Sequence, residues 1–216
     1  MLSSELILHV TLSLSHAETH LSFHTNAGML PRMTQHEYIF IAISIVLGLA
    51  MARLLHSAAL LVRAHNRVTH HWATTLWGVC IFLYILQLWW VGWELRMVTD
   101  WSIIDFFALV IGSIFVYGAA ELALPTEDFD ISDDTELDFL AHSRSLGRVS
   151  ALSMLGYFAV GPYVNLTMFG HPPLPSYAFP ALGGSLMVLM MLKPRWFKWL
   201  SAVFTGYPIL ILYLTA

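Results

Sequence analysis

Six long apolar stretches constrain this chain more than any other feature of its sequence. A helix needs about 20 predominantly apolar residues to cross the hydrocarbon core of a bilayer. Because that core offers the backbone no water, a segment within it must satisfy its own hydrogen bonds. The sequence therefore predicts an all-α integral membrane protein with six transmembrane helices. Their approximate bounds are residues 38–62, 72–94, 102–124, 148–169, 177–193 and 197–215.

The composition supports the membrane class. Hydrophobic residues make up 57% of the chain and charged residues 11%, whereas soluble domains carry about 25% charged residues. Tryptophans cluster near the ends of the predicted helices, at Trp89, Trp90 and Trp93 on one side and at Trp196 and Trp199 on the other. Such aromatic belts are typical of the two membrane–water interfaces.

The basic residues indicate an orientation. Cytoplasmic loops of membrane proteins carry an excess of lysine and arginine. Seven bases lie in or beside the loops after the first, third and fifth helices, namely Arg63, Arg67, Arg144, Arg148, Lys193, Arg195 and Lys198. The opposite side has Arg32 and Arg96. This imbalance predicts that both termini face away from the cytoplasm, an N-out/C-out arrangement.

Two regions lie outside the predicted helices. Residues 1–32 are interpreted as an N-terminal extension, disordered or not native, because "MTQHEYIF" from Met33 leads directly into the first helix. A cleaved signal peptide is the weaker alternative, since Glu5 stands where a basic start is expected. The loop of residues 125–147 holds seven of the fourteen acidic residues. Ser132 followed by acids and then bases predicts a short cytoplasmic surface helix there.

Several motifs resemble one group of proteins. The first helix carries "HEYIFIAISIVLGLAMARLL", the second ends in "WWVGWE", "LALP" closes the third, and "DFLAHSR" precedes the fourth. This pattern, over roughly residues 33 to 150, resembles a group of small bacterial integral membrane proteins of unknown function. The resemblance implies a bacterial inner-membrane location and a start at Met33. It implies no activity, and the N-terminal extension departs from the pattern.

Arg53 interrupts the first apolar segment. A charge inside the bilayer costs from about 2.5 kcal/mol upward, so Arg53 is expected to face the bundle interior and to have a partner. Glu121 near the cytoplasmic end of the third helix, with Tyr117 one turn before it, is the predicted partner. His56, three residues after Arg53, is expected to share its face and to complete an intramembrane polar network. The alternative is that the Arg53 side chain extends to the inner headgroups.

The second helix carries a polar stripe at alternating spacings of three and four, which predicts an inward-facing side. The stripe consists of Trp77, Cys80, Tyr84, Gln87, Val91 and Glu94. Towards the outer end of the bundle an outer polar layer is predicted from Glu37, Gln87, Glu94 and Asp105.

Smaller features complete the predictions for the helices. In the first helix Ser44, Gly48, Ala52 and His56 follow a spacing that lets another helix approach closely. The last three helices are almost free of ionisable groups and are interpreted as scaffold or lipid-facing wall. Residues such as Pro162 and Asn165 there indicate kinks.

The sequence lacks the common catalytic motifs. It contains no HExxH, no GxSxG and no glycine-rich phosphate loop. A single cysteine, Cys80, excludes cysteine-based metal clusters and an internal disulfide framework. We therefore predict no enzymatic activity, no cofactor and no metal site.

These observations favour an accessory or structural membrane component in which Arg53 and Glu121 form an interhelical lock. The alternative is a small transporter or channel that uses the polar residues of helices 1–3, as an oligomer. An enzyme acting on lipid, with His56 or Glu121 as acid or base, is the third and weakest hypothesis. The expected partners are membrane lipids, a second copy of the chain, or a cytoplasmic protein at the acidic loop 125–147. Nucleic acid is not expected.

Overall fold

A computed structural model of the chain describes residues 33–63, 72–124 and 139–215. The chain divides into two compact units, Met1–Thr34 and Gln35–Ala216. Only residues 33 and 34 of the first unit are described, so the predictions for the extension 1–32 lie outside the described residues. The same holds for residues 125–138, which include most of the acidic loop.

The second unit consists of six α-helices within the described residues, and no β-strand occurs there. Two short turns extend helices: a 3-10 turn, Leu95–Met97, follows the second helix, and a π-helical turn, Val164–Met168, follows the fourth. A second 3-10 turn, Pro194–Trp196, precedes the last helix. The helices are α1 (Gln35–Arg63), α2 (Trp72–Glu94), α3 (Ile103–Glu121), α4 (Phe139–Tyr163), α5 (Pro173–Leu192) and α6 (Phe197–Thr215).

Within the described residues, five helical segments are long and apolar enough to cross a membrane: Gln35–Arg63, Trp72–Met97, Ile103–Glu121, Gly147–Met168 and Pro173–Leu192. The apolar part of α6, Phe197–Ile211, is shorter. The all-α membrane architecture is therefore confirmed. The sixth crossing and the orientation stay predictions.

Only the last part of the surface helix predicted in the third loop lies within the described residues. Residues from Phe139 onward form one unbroken helix with the apolar segment up to Tyr163, so the described part of that predicted helix is the first turn of α4 and the turns that follow. Gly147, the last residue of the predicted loop 125–147, lies inside α4. A Cβ built at Gly147 would lie 3.1 Å from Cε2 of Phe197, so the glycine allows α6 to begin close against α4.

The six helices pack in a ring in the order α1, α3, α4, α5, α6, α2, and α2 also contacts α3 and α4 across it. This central position explains why α2 is the most buried of the candidate spans. Its side chains Trp77, Ile81 and Ile85 are fully buried, as is Phe204 of α6. The outward faces of the helices are apolar and exposed, which suits a lipid environment.

Candidate functional site

The ion pair expected between the first and third helices is present. Nη2 of Arg53 lies 2.7 Å from Oε1 of Glu121, and Nε of Arg53 donates to the same oxygen at 2.8 Å. The Tyr117 hydroxyl donates to Oε2 of Glu121 at 3.4 Å. Both carboxylate oxygens therefore have a donor, and the charge-assisted contacts join α1 directly to α3.

The pair lies at the level where α3 ends. Glu121 is the last residue of α3, and the 19 residues of α3 extend about 28 Å, close to the thickness of a hydrocarbon core. After Arg53, α1 continues for about 15 Å before it ends at Arg63. The side chains of Arg53 and Glu121 are 39% and 30% exposed. Arg53 also offsets the unfavourable position of a carboxylate at a helix C-terminus.

His56 does not join this network, and its predicted position is wrong. The buried side of α1 is formed by residues such as Leu47, Ala50 and Leu54, with Arg53 at its edge. Three further residues rotate the helix by about 300°, so His56 lies about 60° farther from the buried side. Its side chain is exposed.

The small-residue face that includes His56 is also open. A Cβ built at Gly48 has no atom within 4 Å, and Ala52 is exposed. The helix expected to approach this face is not found within the described part of the chain. The reason is that this face of α1 lies on the side of the helix away from its buried residues, and therefore away from the helices that neighbour α1 in the ring.

The predicted outer polar layer is divided between separate locations. Asp105 is buried at the start of α3, where it forms a capping box with Ser102. Its Oδ1 accepts a hydrogen bond from the Tyr163 hydroxyl at 2.7 Å. This bond joins the end of α4 to the start of α3, and it indicates a structural role for Asp105. Glu37 is exposed on α1 and does not line the cavity described next.

The other two members of that layer, Gln87 and Glu94, line a cavity of about 400 Å³. They belong to the polar stripe of α2, and the inward direction predicted for this stripe is confirmed, because Trp77, Cys80 and Tyr84 are almost fully buried. Tyr84, Gln87, Val91 and Glu94 all face the cavity.

The walls of the cavity are mostly apolar and come from α2 to α6 and the turn after α4. Tyr84 at its inner end is ten residues before Glu94, about 15 Å along the helix and thus about half the thickness of a bilayer core. At the other end His171 and Pro172 are exposed. The cavity thus reaches from an exposed end beside α5 to the middle of the bundle.

Aromatic rings surround the inner part of the cavity. The Tyr84 ring lies edge-on to Tyr157 and Phe158, with centroids 5.7 and 5.6 Å apart, and it stacks on Phe204 at 5.4 Å. The Tyr207 hydroxyl donates to the Phe179 carbonyl oxygen at 2.6 Å. These contacts hold the rings in place around the cavity.

Two residues that line the cavity each have a buried oxygen with no hydrogen-bond partner within the described residues: Oη of Tyr84 and Oε1 of Gln87. A third, Oγ of Ser57, is on α1 and does not line the cavity. Leaving such a group without a partner costs about 1–3 kcal/mol.

The sequence did not predict that α4 and α5 contribute to this cavity, because the last three helices were interpreted as scaffold or lipid-facing wall. Pro162 is followed by the π-helical turn Val164–Met168, and Asn165 of this turn lines the cavity. Single π-helical turns of this kind are frequent at functional sites. The cluster of Gly161, Pro162 and Asn165 was the available signal, but it was interpreted as a kink alone.

Among residues 33–63, 72–124 and 139–215, no three histidine, cysteine or acidic side chains are grouped so as to hold a metal ion. Comparison with protein families, with curated proteins and with solved structures finds no match for this chain. The arguments for function therefore rest on the geometry of the ion pair and of the cavity.

Proposed function

We propose that the protein is an accessory or structural component of a membrane, with the Arg53–Glu121 pair as an interhelical lock. The ion pair carries this proposal. It joins two helices that are separated in the sequence by α2, and Glu121 accepts from both Arg53 and Tyr117. A group held this firmly by its neighbours is suited to fixing the position of α1 against α3.

The membrane is the inner membrane of a bacterium, as the resemblance implies. α6 is the sixth crossing, and both termini face away from the cytoplasm. The excess of bases after the first, third and fifth helices supports this orientation. In this orientation the ion pair is near the cytoplasmic surface, and the exposed end of the cavity is near the outer surface.

Lipids cover the apolar outer faces of the helices, and a cytoplasmic protein or a second copy of the chain is the further partner of an accessory component. The acidic loop 125–147 is the proposed contact for a cytoplasmic protein, because seven carboxylates in one segment attract a basic surface.

The lock is tested by replacing each member of the pair. Arg53→Leu and Glu121→Gln are each expected to lower the unfolding temperature of the purified protein in detergent by about 2–4 °C, which corresponds to about 1 kcal/mol. The exchange of both, Arg53→Glu with Glu121→Arg, should recover part of the loss. Lys198→Leu at the start of α6 is a control for the loss of a positive charge.

Two single variants, Arg53→Lys and Glu121→Gln, can contradict the proposal. If neither change alters the unfolding temperature or the amount of protein in the membrane, the pair is not a lock.

A small transporter is the second candidate, and the cavity favours it. Gln87 and Glu94 of α2 line the cavity, whereas Arg53 and Glu121, the other polar residues that this alternative would use, do not. Transport, by an oligomer of the chain, is tested by measuring the uptake of a solute into vesicles that contain the protein. Glu94→Gln should reduce such uptake, whereas Glu37→Gln, away from the cavity, should not.

A further inference from the structure

We infer that the cavity between α2 and α5 is a binding site for the unbranched alkyl chain of an amphiphilic lipid, whose polar head lies at the exposed end. This inference is independent of the interhelical lock, because the cavity and the ion pair share no residue. It rests on the depth of the cavity, on the separation of polar from apolar residues along it, and on its border with the surrounding lipid.

The cavity is long and narrow. Along α2 its lining runs from Glu94, the last residue of the helix, to Tyr84, about 15 Å deeper. On α3 the innermost lining residue is Gly112, about 14 Å from the start of the helix at Ile103. Spread over this depth, a volume of about 400 Å³ gives a slender space, within the size range of pockets that bind small molecules. An extended chain advances about 1.2 Å per bond, so about twelve carbon atoms reach the inner end.

Polar and apolar residues are separated along this depth. Glu94, Asn165 and His171 line the exposed end of the cavity, where α2 and α4 end and α5 begins. The deeper walls are mostly apolar and include Leu88, Leu109, Phe158, Val160 and Pro180. Such a gradient matches an amphiphile, with its polar head among the first group and its chain among the second.

The buried oxygens of Tyr84 and Gln87 do not change this division. Oη of Tyr84 and Oε1 of Gln87 have almost no accessible surface, so neither can bind a ligand atom in the cavity. A polar solute in the inner part would therefore gain no hydrogen bond from them, and burying a polar group without a partner is unfavourable. An alkyl chain has no such requirement and gains dispersion contacts with the walls.

The cavity also borders the surrounding lipid. The Tyr207 hydroxyl of α6 donates to the Phe179 carbonyl oxygen of α5 at 2.6 Å. One turn closer to the exposed end, Pro175 of α5 and Ile211 of α6 both line the cavity, so it extends between these two helices. Other side chains of α5 and α6, such as Leu182, are exposed on the outside of the bundle. The alkyl chains of a bilayer therefore lie directly beside this part of the wall.

The inference is tested with the full chain in lipid nanodiscs and two photoreactive isomers of dodecan-1-ol. One isomer carries a diazirine next to the free end of the chain, and the other carries it next to the hydroxyl group. After illumination, mass spectrometry of peptides locates the label. The first isomer is expected to label the inner end, at residues such as Phe158 and Val160. The second should label the exposed end, at residues such as Asn165 and His171.

Ile111 supplies an internal reference for each sample. It precedes Gly112 on α3 at nearly the same depth, but it is exposed and does not line the cavity. Probe dissolved in the lipid labels Ile111, and an excess of unlabelled alcohol does not saturate this background. Label in the cavity should be lost when an unlabelled alcohol competes for the site.

The length of the competing alcohol measures the depth of the site. From octanol to dodecanol, the potency at a given free aqueous concentration should rise about fourfold for each added CH₂ group. From dodecanol to hexadecanol it should rise no further, because about twelve carbon atoms fill the cavity.

Two glycine variants assign the binding to the cavity. A Cβ built at the buried Gly112 meets a single atom of another described residue within 4 Å, Cγ1 of Val160 at 3.7 Å. Gly112→Leu should therefore fill the inner end and lower the length at which the potency stops rising. Gly48→Leu is the matched control, because a Cβ at Gly48 meets no atom within 4 Å. It should change neither the labelling nor this length. If Gly112→Leu fails to assemble, the labelling pattern and the length dependence of the wild-type protein decide the matter.

A phosphatidylcholine with a diazirine at the free end of one acyl chain distinguishes the two sources of such a chain. Label from this lipid at Phe158 would assign the site to a phospholipid of the bilayer. Label from the alcohol alone would assign it to a free single-chain amphiphile. Label confined to exposed residues such as Ile111 with every probe would overturn the inference. Identical labelling by the two alcohol isomers, or a potency that still rises at hexadecanol, would do the same.

Discussion

At the scale of single residues, a buried chain of hydrogen bonds holds the centre of the bundle together. Nε1 of Trp77 donates to Oγ of Ser150 at 3.1 Å, and Ser150 donates to the Ala119 carbonyl oxygen at 2.9 Å. The serine thus connects α2, α4 and α3. Trp77 and Ser150 are fully buried, so the indole N–H has no water to replace a lost partner.

Ser150→Ala is therefore expected to lower the free energy of unfolding by about 1–3 kcal/mol, because it leaves the buried indole N–H without an acceptor. Thermal unfolding in detergent measures this change. Ser185→Ala is the matched control, since the exposed Ser185 hydroxyl donates only to the Leu182 carbonyl oxygen of its own helix.

A double-mutant cycle with Trp77→Phe isolates the bond. Once the indole N–H is gone, Ser150→Ala should cost about 1 kcal/mol less than in the wild-type protein. Strictly additive effects of the two changes would show that the bond does not stabilise the bundle.

At the scale of helices, close approach depends on glycines that face aromatic rings. A Cβ built at Gly183 of α5 would lie 2.5 Å from Cε1 and Cζ of Phe158 on α4. Phe158 cannot move aside easily, because it is buried and packs against Tyr84 and Phe204. The position of α5 against α4, and with it one wall of the cavity, is set by this contact.

Gly183→Ala is expected to lower the free energy of unfolding by about 1–3 kcal/mol through overpacking. Gly48→Ala on α1 is the matched control. It should be neutral or stabilising by up to about 1 kcal/mol, because alanine is the better helix former and its Cβ meets no atom within 4 Å. Equal effects of the two substitutions on thermal unfolding would contradict the packing argument.

At the scale of the whole molecule, the number of crossings depends on α6. This helix packs mainly against α2, with Phe204 fully buried and Cys80 directed towards the Phe204 carbonyl oxygen at 3.7 Å. Its apolar part is shorter than that of the other five. Even so, packing against the most buried helix in the ring keeps α6 alongside the spans, which supports a sixth crossing.

Reporter fusions test the crossings. Six crossings with the N-terminus outside the cytoplasm predict that alkaline phosphatase fused after residue 216 is active outside the cytoplasm. They also predict that a fluorescent protein inserted between residues 64 and 71 fluoresces inside it. The tryptophan-rich turn after α2 supplies a control site, where the phosphatase should be active. Fluorescence from a reporter after residue 216 would mean that α6 does not cross.

The sequence by itself determined where the helices lie, because apolar length and periodicity act locally along the chain. Predicted and observed bounds agree closely for α1, α2 and α6. The Arg53–Glu121 pair could also be predicted, since a charge within an apolar helix must find an opposite one and the third helix offered one carboxylate at a suitable level.

Only the tertiary structure decided which faces meet. A rotation of about 60° separates Arg53 at the edge of the packed side of α1 from the exposed His56, and no local pattern fixes the helix to that accuracy. The cavity likewise depends on five helices at once. Gln87 faces it because α2 also packs across the ring against α3 and α4, an arrangement set by contacts between residues far apart in the sequence.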